Sequence, residues 1–204
     1  AGSPVERAMR DDVAAYLRSE LPNTRIVHEL VCGECRADIA AVGRSRLILV
    51  ELKSERDVLK RAERQMKAFV ASAHDAILVA DIRFFDRTPY NNGAPRVAST
   101  DELASFGGAL WVYPRPPANA SLGEGQLYKW SIPRPNLKQP RAFTFLNLLW
   151  RDELVEEARR HRIDATRRMT MAEIAAQMSW LMTGREIAEA VCRQLRQRSF
   201  PEAE

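Results

Sequence analysis

Three side chains in the first third of the sequence have the types and spacing to do chemistry together. Asp38 interrupts the apolar stretch Arg36-Ala37-Asp38-Ile39-Ala40, and Glu51 and Lys53 close the run Leu47 to Leu52. In a strand, residues two apart share a face, so Glu51 and Lys53 project together while Leu52 points the other way. If the two runs pair around a turn at Gly43 to Ser45, Asp38 and Glu51 become near cross-strand partners. Two carboxylates brought together repel unless positive charge lies between them. Lys53 neutralises one of them; a divalent cation neutralises both, and hard oxygen donors suit Mg²⁺ or Mn²⁺. A cation held in this way could polarise a phosphodiester and lower the pKa of a water, with Lys53 orienting that water or stabilising charge in the transition state.

The elements that must position these groups are legible in outline. Val5, Met9, Val13, Tyr16 and Leu17 fall at helical spacing, and Pro22-Asn23 ends that helix. Thr24 to Val31, Arg36 to Val42 and Arg46 to Leu52 predict three strands, with Leu47-Ile48-Leu49-Val50 apolar enough to be buried on both faces. Asp57 to Ala73 predicts a helix with Val58, Leu59, Ala62, Met66, Phe69 and Val70 on one side. Gln65 borders that stripe, where a polar amide needs a hydrogen-bond partner. Ala76 to Ala80 and Leu110 to Tyr113 are two further strands, separated by a long connection from Arg83 to Gly108 with a helical turn expected at 100–106.

Residues 114–140 hold six prolines and predict an extended connector. Residues 141–204 then read as helix throughout, with Thr-x-x-Glu capping boxes at Thr170…Glu173 and Thr183…Glu186. The expected division is a core over 1–113, a connector over 114–140 and a helical region over 141–204. Thr170 to Arg198 has the outline of a helix-turn-helix, in which Arg185, Arg193, Arg196 and Arg198 would meet phosphates. A helical hairpin packed on the core, or on a second copy in a homodimer, accounts for the same residues. Trp150, Trp180 and Phe145 read as core.

The bulk properties narrow the partners. The chain has 204 residues, a formal net charge of +4, 46% hydrophobic and 28% charged residues, and a pI near 9.2. That composition excludes a disordered chain. No run of about 18 apolar residues exists, so no membrane span is expected. Three cysteines and a charged N-terminal stretch predict a reducing, cytoplasmic setting. Cys32-Gly33-Glu34-Cys35 lacks the further ligands of a structural zinc site, so packed cysteines are expected. His74 and His161 read as surface residues. Arg56, Lys60, Arg61, Arg64 and Lys67 put five cations beside the Asp38–Glu51 group, suited to nucleic-acid phosphates, as a basic pI permits.

Asp38 followed by Glu51-Leu52-Lys53 at the end of the next strand resembles the signature of the PD-(D/E)xK, or restriction-endonuclease-like, nucleases. Glu51-Leu52-Lys53-Ser54 is similar to the Glu-x-Lys-Ser pattern of small bacterial and phage families, the MmcB and VRR-NUC types. The likeness covers Val5 to Tyr113; Ala37 stands where the signature has proline. The resemblance implies an α/β fold with an α-β-β-β-α-β-β mixed sheet flanked by helices, here with an all-helical C-terminal extension. It implies a Mg²⁺- or Mn²⁺-dependent deoxyribonuclease in repair, phage or mobile-element biology, or defence. Asp38, Glu51 and the Leu52 carbonyl would hold the metal, Lys53 would serve the water, and Gln65 would support them. Glu6 on the first helix is a further candidate ligand, although Ser3-Pro4-Val5-Glu6 is also a capping box; Glu20 and Glu29 rank below it. DNA is the expected partner, with RNA left open. The competing expectation is a non-catalytic nucleic-acid-binding module that keeps the fold.

Overall fold

The structure is a computed structural model that describes residues 4–86, 96–97, 107–117, 129–135 and 138–199. Helix α1 (Pro4–Glu20) leads into strands β1 (Arg25–Cys32), β2 (Cys35–Val42) and β3 (Leu47–Lys53). A 3-10 turn (Leu59–Arg61) and α2 (Ala62–Ser72) cross over to β4 (Asp75–Asp81). A short antiparallel pair, β5 (Phe85–Asp86) and β6 (Arg96–Val97), precedes β7 (Ala109–Tyr113). Helices α3 (Ala142–Leu146), α4 (Arg151–Arg160), α5 (Met171–Leu181) and α6 (Gly184–Gln197) follow. The helical turn expected at 100–106 lies outside the described residues.

The main sheet has five strands in the order β1-β2-β3-β4-β7. The first three are antiparallel neighbours, and β3, β4 and β7 run parallel. The fold is thus α/β with a mixed sheet flanked by helices. All seven residues of β3 are buried, as its apolar run predicts for a strand covered on both faces. Ile26, Ile39, Ala41, Ile48 and Val50 face α1 and the tryptophans Trp111 and Trp130. Val27, Leu30, Ala40, Leu47 and Leu49 share a core with α2 and with the C-terminal helices. The helical region therefore completes the second face of the sheet. Arg25 on β1 ties the two together by donating to the carbonyls of Leu195 and Arg196, at 3.3 and 2.9 Å.

Several local expectations are corrected. The helix after β3 starts later than Asp57, because the Asp57 carboxylate accepts hydrogen bonds from the Ser54 N–H and hydroxyl at 2.8 and 2.7 Å. That locks a turn, which competes with capping a helix. The proline-rich stretch 114–140 has no helix or strand where described, yet it is not a bare linker. Trp130 is buried, stacks on Trp111 with ring centroids 5.5 Å apart, and donates its indole N–H to the Val112 carbonyl at 2.7 Å. Tyr16 packs edge-on against both rings and donates its hydroxyl to the Trp130 carbonyl at 2.8 Å. Trp180 and Trp150 are exposed rather than core, the latter under the Arg198 guanidinium, and only Phe145 is buried as expected. Leu181, the last residue of α5, is also exposed. His74 is half-buried and structural: its Nδ1 accepts from the Leu47 N–H at 3.1 Å. Cys32 and Cys35 are free and face each other across the β1–β2 pair. Among the described residues no helix is long and apolar enough to cross a membrane.

Candidate active site

The β2–β3 hairpin closes at Gly43, whose N–H donates to the Arg46 carbonyl at 2.8 Å. Its ladder runs from Val42↔Leu47 to Ile39↔Val50. One step beyond that last pair, the register brings Asp38 opposite Glu51, and opposed residues of antiparallel strands share a face. Backbone pairing stops there because the Asp38 carboxylate takes over: its Oδ2 accepts the Leu52 N–H at 2.7 Å. The bond satisfies a donor that β2 leaves free and pins the carboxylate at the strand end. Leu52 thus meets the group through its backbone N–H. The Leu52 side chain packs on the α1 face, opposite Glu51 and Lys53.

Glu51 and Lys53 are both buried, with relative exposures of 3% and 6%. The Lys53 ammonium donates to Glu51 Oε1 at 2.6 Å and to Gln65 Oε1 at 3.1 Å. The Gln65 amide donates to the same Glu51 Oε1 at 2.6 Å. Gln65 therefore finds its partners in the cluster, as its place beside the apolar stripe of α2 predicts. The other Glu51 oxygen, Oε2, is buried and has no hydrogen-bond partner. A buried carboxylate oxygen without a donor is costly, and a cation is the partner that its chemistry fits.

Charge at the site tells the same story. Burial pushes the Glu51 carboxyl up to about 7; the neighbouring Asp38 charge adds to the rise, and Lys53 and Gln65 oppose it. Burial also pushes Asp38 up to about 6, against the pull of the Leu52 N–H, Arg10 and Lys53, with Glu29 adding to the rise. Desolvation is the main cause in both acids, so a cation bound between them would favour their charged forms. Both are hard oxygen donors of the kind that hold Mg²⁺ or Mn²⁺ alongside several waters. Among the described residues no group of three or more His, Cys, Asp or Glu side chains is assembled to hold a metal. A cation here would have two carboxylates and complete its shell with other oxygens.

Glu6 lies beside the site but is engaged by Arg10. One Arg10 guanidinium nitrogen sits 3.1 Å from Glu6, 3.2 Å from Glu29 and 3.9 Å from Asp38. Arg10 is the functional neighbour that sequence reasoning missed, although its spacing of four from Glu6 was a usable signal. Glu29 is held from the other side by Arg36 at 2.6 Å, and it has a left-handed φ of 59° inside β1. Its register partner would be Asp38, so three acids occupy neighbouring positions across β1, β2 and β3.

The five cations expected beside the site are all exposed. Arg64 lies 3.6 Å from Glu34, Lys67 pairs with Glu63 at 2.5 Å, and Arg56 lies 3.8 Å from Glu55. Lys60 and Arg61 have no ion pair among the described residues. The arginines of the C-terminal helices divide differently. Arg185 is exposed and pairs with Glu189 at 3.2 Å. Arg193 grips the fully buried Glu157 through two hydrogen bonds of 3.1 and 3.0 Å, so its charge is committed to the fold. Arg198 is buried on Glu153 and the Leu148 carbonyl, which removes it from any phosphate surface. Arg196 is exposed.

A family model described as bacteriophage P4 protein cII matches residues 4–90, which is less than half of the chain and runs from α1 past β5. Asp38, Glu51, Lys53 and Gln65 all fall inside that match. No curated protein matches the chain. No solved structure matches it either.

Proposed function

We propose that the chain is a metal-dependent nuclease that hydrolyses DNA phosphodiester bonds on a restriction-endonuclease-like core. The observation that carries this reading is the unpartnered, buried Glu51 Oε2 next to Asp38, with Lys53 and Gln65 both fixed on the opposite Glu51 oxygen. Asp38 and Glu51 would hold Mg²⁺ or Mn²⁺. Such an ion supplies Lewis acidity to the phosphate and lowers the pKa of a water. Lys53, positioned by Glu51 and Gln65, orients that water and stabilises negative charge growing on the phosphoryl oxygens. Gln65 keeps Glu51 from rotating away. The exposed cations from Arg56 to Lys67 draw the substrate backbone toward the carboxylates. The likeness of residues 4–90 to a phage protein suits the phage and mobile-element setting among those expected from the sequence.

One observation favours a second reading, a non-catalytic nucleic-acid-binding module. Only two carboxylates converge, and no three-donor group is assembled among the described residues. Cleavage separates the two readings. A panel of labelled single- and double-stranded DNA and RNA is incubated with Mg²⁺, with Mn²⁺ and with EDTA. The nuclease reading expects divalent-dependent products that Asp38→Ala, Glu51→Ala and Lys53→Ala abolish. Binding without cleavage under every condition, unchanged in Lys53→Ala, would leave the binding module.

A further inference from the structure

The far end of the same hairpin carries a second feature. Arg44, in the β2–β3 turn, and Glu189, Arg193, Arg196 and Gln197, on α6, line a hollow of about 300 Å³. Its charges do not cancel. Arg193 is neutralised by Glu157 beneath it, and Glu189, the one acid in the lining, is neutralised by Arg185. Arg44 and Arg196 are exposed and have no ion pair or side-chain hydrogen bond among the described residues. Two unpaired guanidinium groups from elements about 150 positions apart in the sequence thus converge on one concave site. Guanidinium forks match phosphate oxygens in geometry and charge.

Position relates this hollow to the carboxylates. Asp38, Ala40 and Val42 alternate onto the sheet face that α2 and α6 cover, and Arg44 follows two residues later. Arg44 lies six residue steps from Asp38, four of them along β2, so at most about 20 Å at roughly 3.3 Å per residue. Because helices cover this face, a nucleic-acid backbone that met both ends of the hairpin would run over the outer surfaces of α2 and α6.

We infer that the hollow between the β2–β3 turn and α6 is an anchor for a backbone phosphate of nucleic acid, held by Arg44 and Arg196 at most about 20 Å from the carboxylate pair. This extends the proposed function from the reacting phosphate to one several nucleotides away, and rests on that reading for its choice of ligand. It replaces the helix-turn-helix expectation: α6 contributes one arginine to a site completed by the hairpin.

The test is equilibrium binding of a labelled 20-base-pair duplex and of a 20-nucleotide single strand in EDTA, across a salt series. Wild type is compared with the Arg44→Ala/Arg196→Ala double variant and with an Arg159→Ala/Arg168→Ala control, which removes two exposed arginines outside both proposed sites. The anchor predicts at least a roughly 10-fold weaker affinity at low salt for the double variant. It also predicts a plot of log K against log salt shallower by about 2 on duplex, one phosphate contact per arginine. Thermal melting verifies that each variant is folded. Unchanged affinity and slope on both ligands would overturn the anchor. So would stabilisation of wild type, but not of the double variant, by millimolar pyrophosphate without a difference in oligonucleotide binding, since that marks a free-anion site. Failure of the nuclease reading looks different: wild type would cut nothing, yet the double variant would still lose affinity.

Discussion

The two ends of the β2–β3 hairpin belong to the same pair of strands and have opposite character. At the open end, backbone pairing gives way to side chains, and Asp38, Glu51 and Lys53 converge in a half-buried to buried setting. At the turn end, Gly43 closes the chain through its backbone and Arg44 is left in solvent. A Cβ on Gly43 would come within 3.2 Å of the Arg46 carbonyl, so the tight closure leaves little room. The difference shows how one hairpin can hold acids where desolvation raises their energy and cations where water keeps them cheap. Most buried groups at the open end have defined partners, and Glu51 Oε2 and Arg10 Nε stand out as exceptions. The exposed cations are defined only by what has not neutralised them.

The contrast breaks most sharply if the open end is emptied of charge. Glu51→Gln or Asp38→Ala should cut divalent-dependent cleavage by at least about 1,000-fold, while circular dichroism and the melting profile remain those of a folded protein. Wild-type turnover in either variant would remove the metal-binding role. Gln65→Ala should cost less, roughly 10–100-fold, because it releases one donor from Glu51 without removing a carboxylate. Single-turnover cleavage measures that loss.

Stability should follow pH with a sign set by the two raised carboxyls. In the unfolded chain Glu51 titrates near its ordinary 4.5 and Asp38 near 3.8; in the folded protein they titrate near 7 and near 6. The folded state therefore binds more protons across that interval. Its stability is fully present below the unfolded values and falls as pH rises through the folded ones. Metal-free protein should lose several kcal/mol, at most about 5, between about pH 4 and 7.5, read by urea denaturation at fixed ionic strength. Adding Mg²⁺ should raise stability more at pH 7.5 than at pH 5, because ionised carboxylates are the ligands. Equal effects at both values would argue against Asp38 and Glu51 as the binding groups. The smallest expected effect is at the turn. Gly43→Ala should destabilise by about 1 kcal/mol as the Arg46 carbonyl gives way, with cleavage unchanged.

The carboxylate end was legible because its rules are local. A period of two put Glu51 with Lys53, a short turn after Val42 brought Asp38 close to Glu51, and helical spacing placed Gln65 beside the stripe of α2. The α/β class and the order of the main strands were legible for the same reason. What escaped was set by contacts distant in sequence. Nothing around Trp130 announces that it will stack on Trp111, since a lone aromatic among prolines has no periodicity. Arg44 and Arg196 share a hollow only because α6 packs on the hairpin. Arg193 looked like a phosphate ligand until Glu157, from another helix, claimed it. Asp57 misled because the same carboxylate that can cap a helix can also lock the preceding turn.

The stacked Trp111–Trp130 pair has one more consequence, in light rather than in energy. The sequence contains four tryptophans, and the structure sorts them into two dry, mutually stacked indoles and two that meet solvent, Trp150 and Trp180. Two indole rings at van der Waals distance couple their electronic transitions, and Trp130 keeps that partnership only while the proline-rich stretch lies against the sheet. Near-ultraviolet dichroism should therefore carry a split signal from the seated connector, whereas iodide should quench the emission of the outer pair.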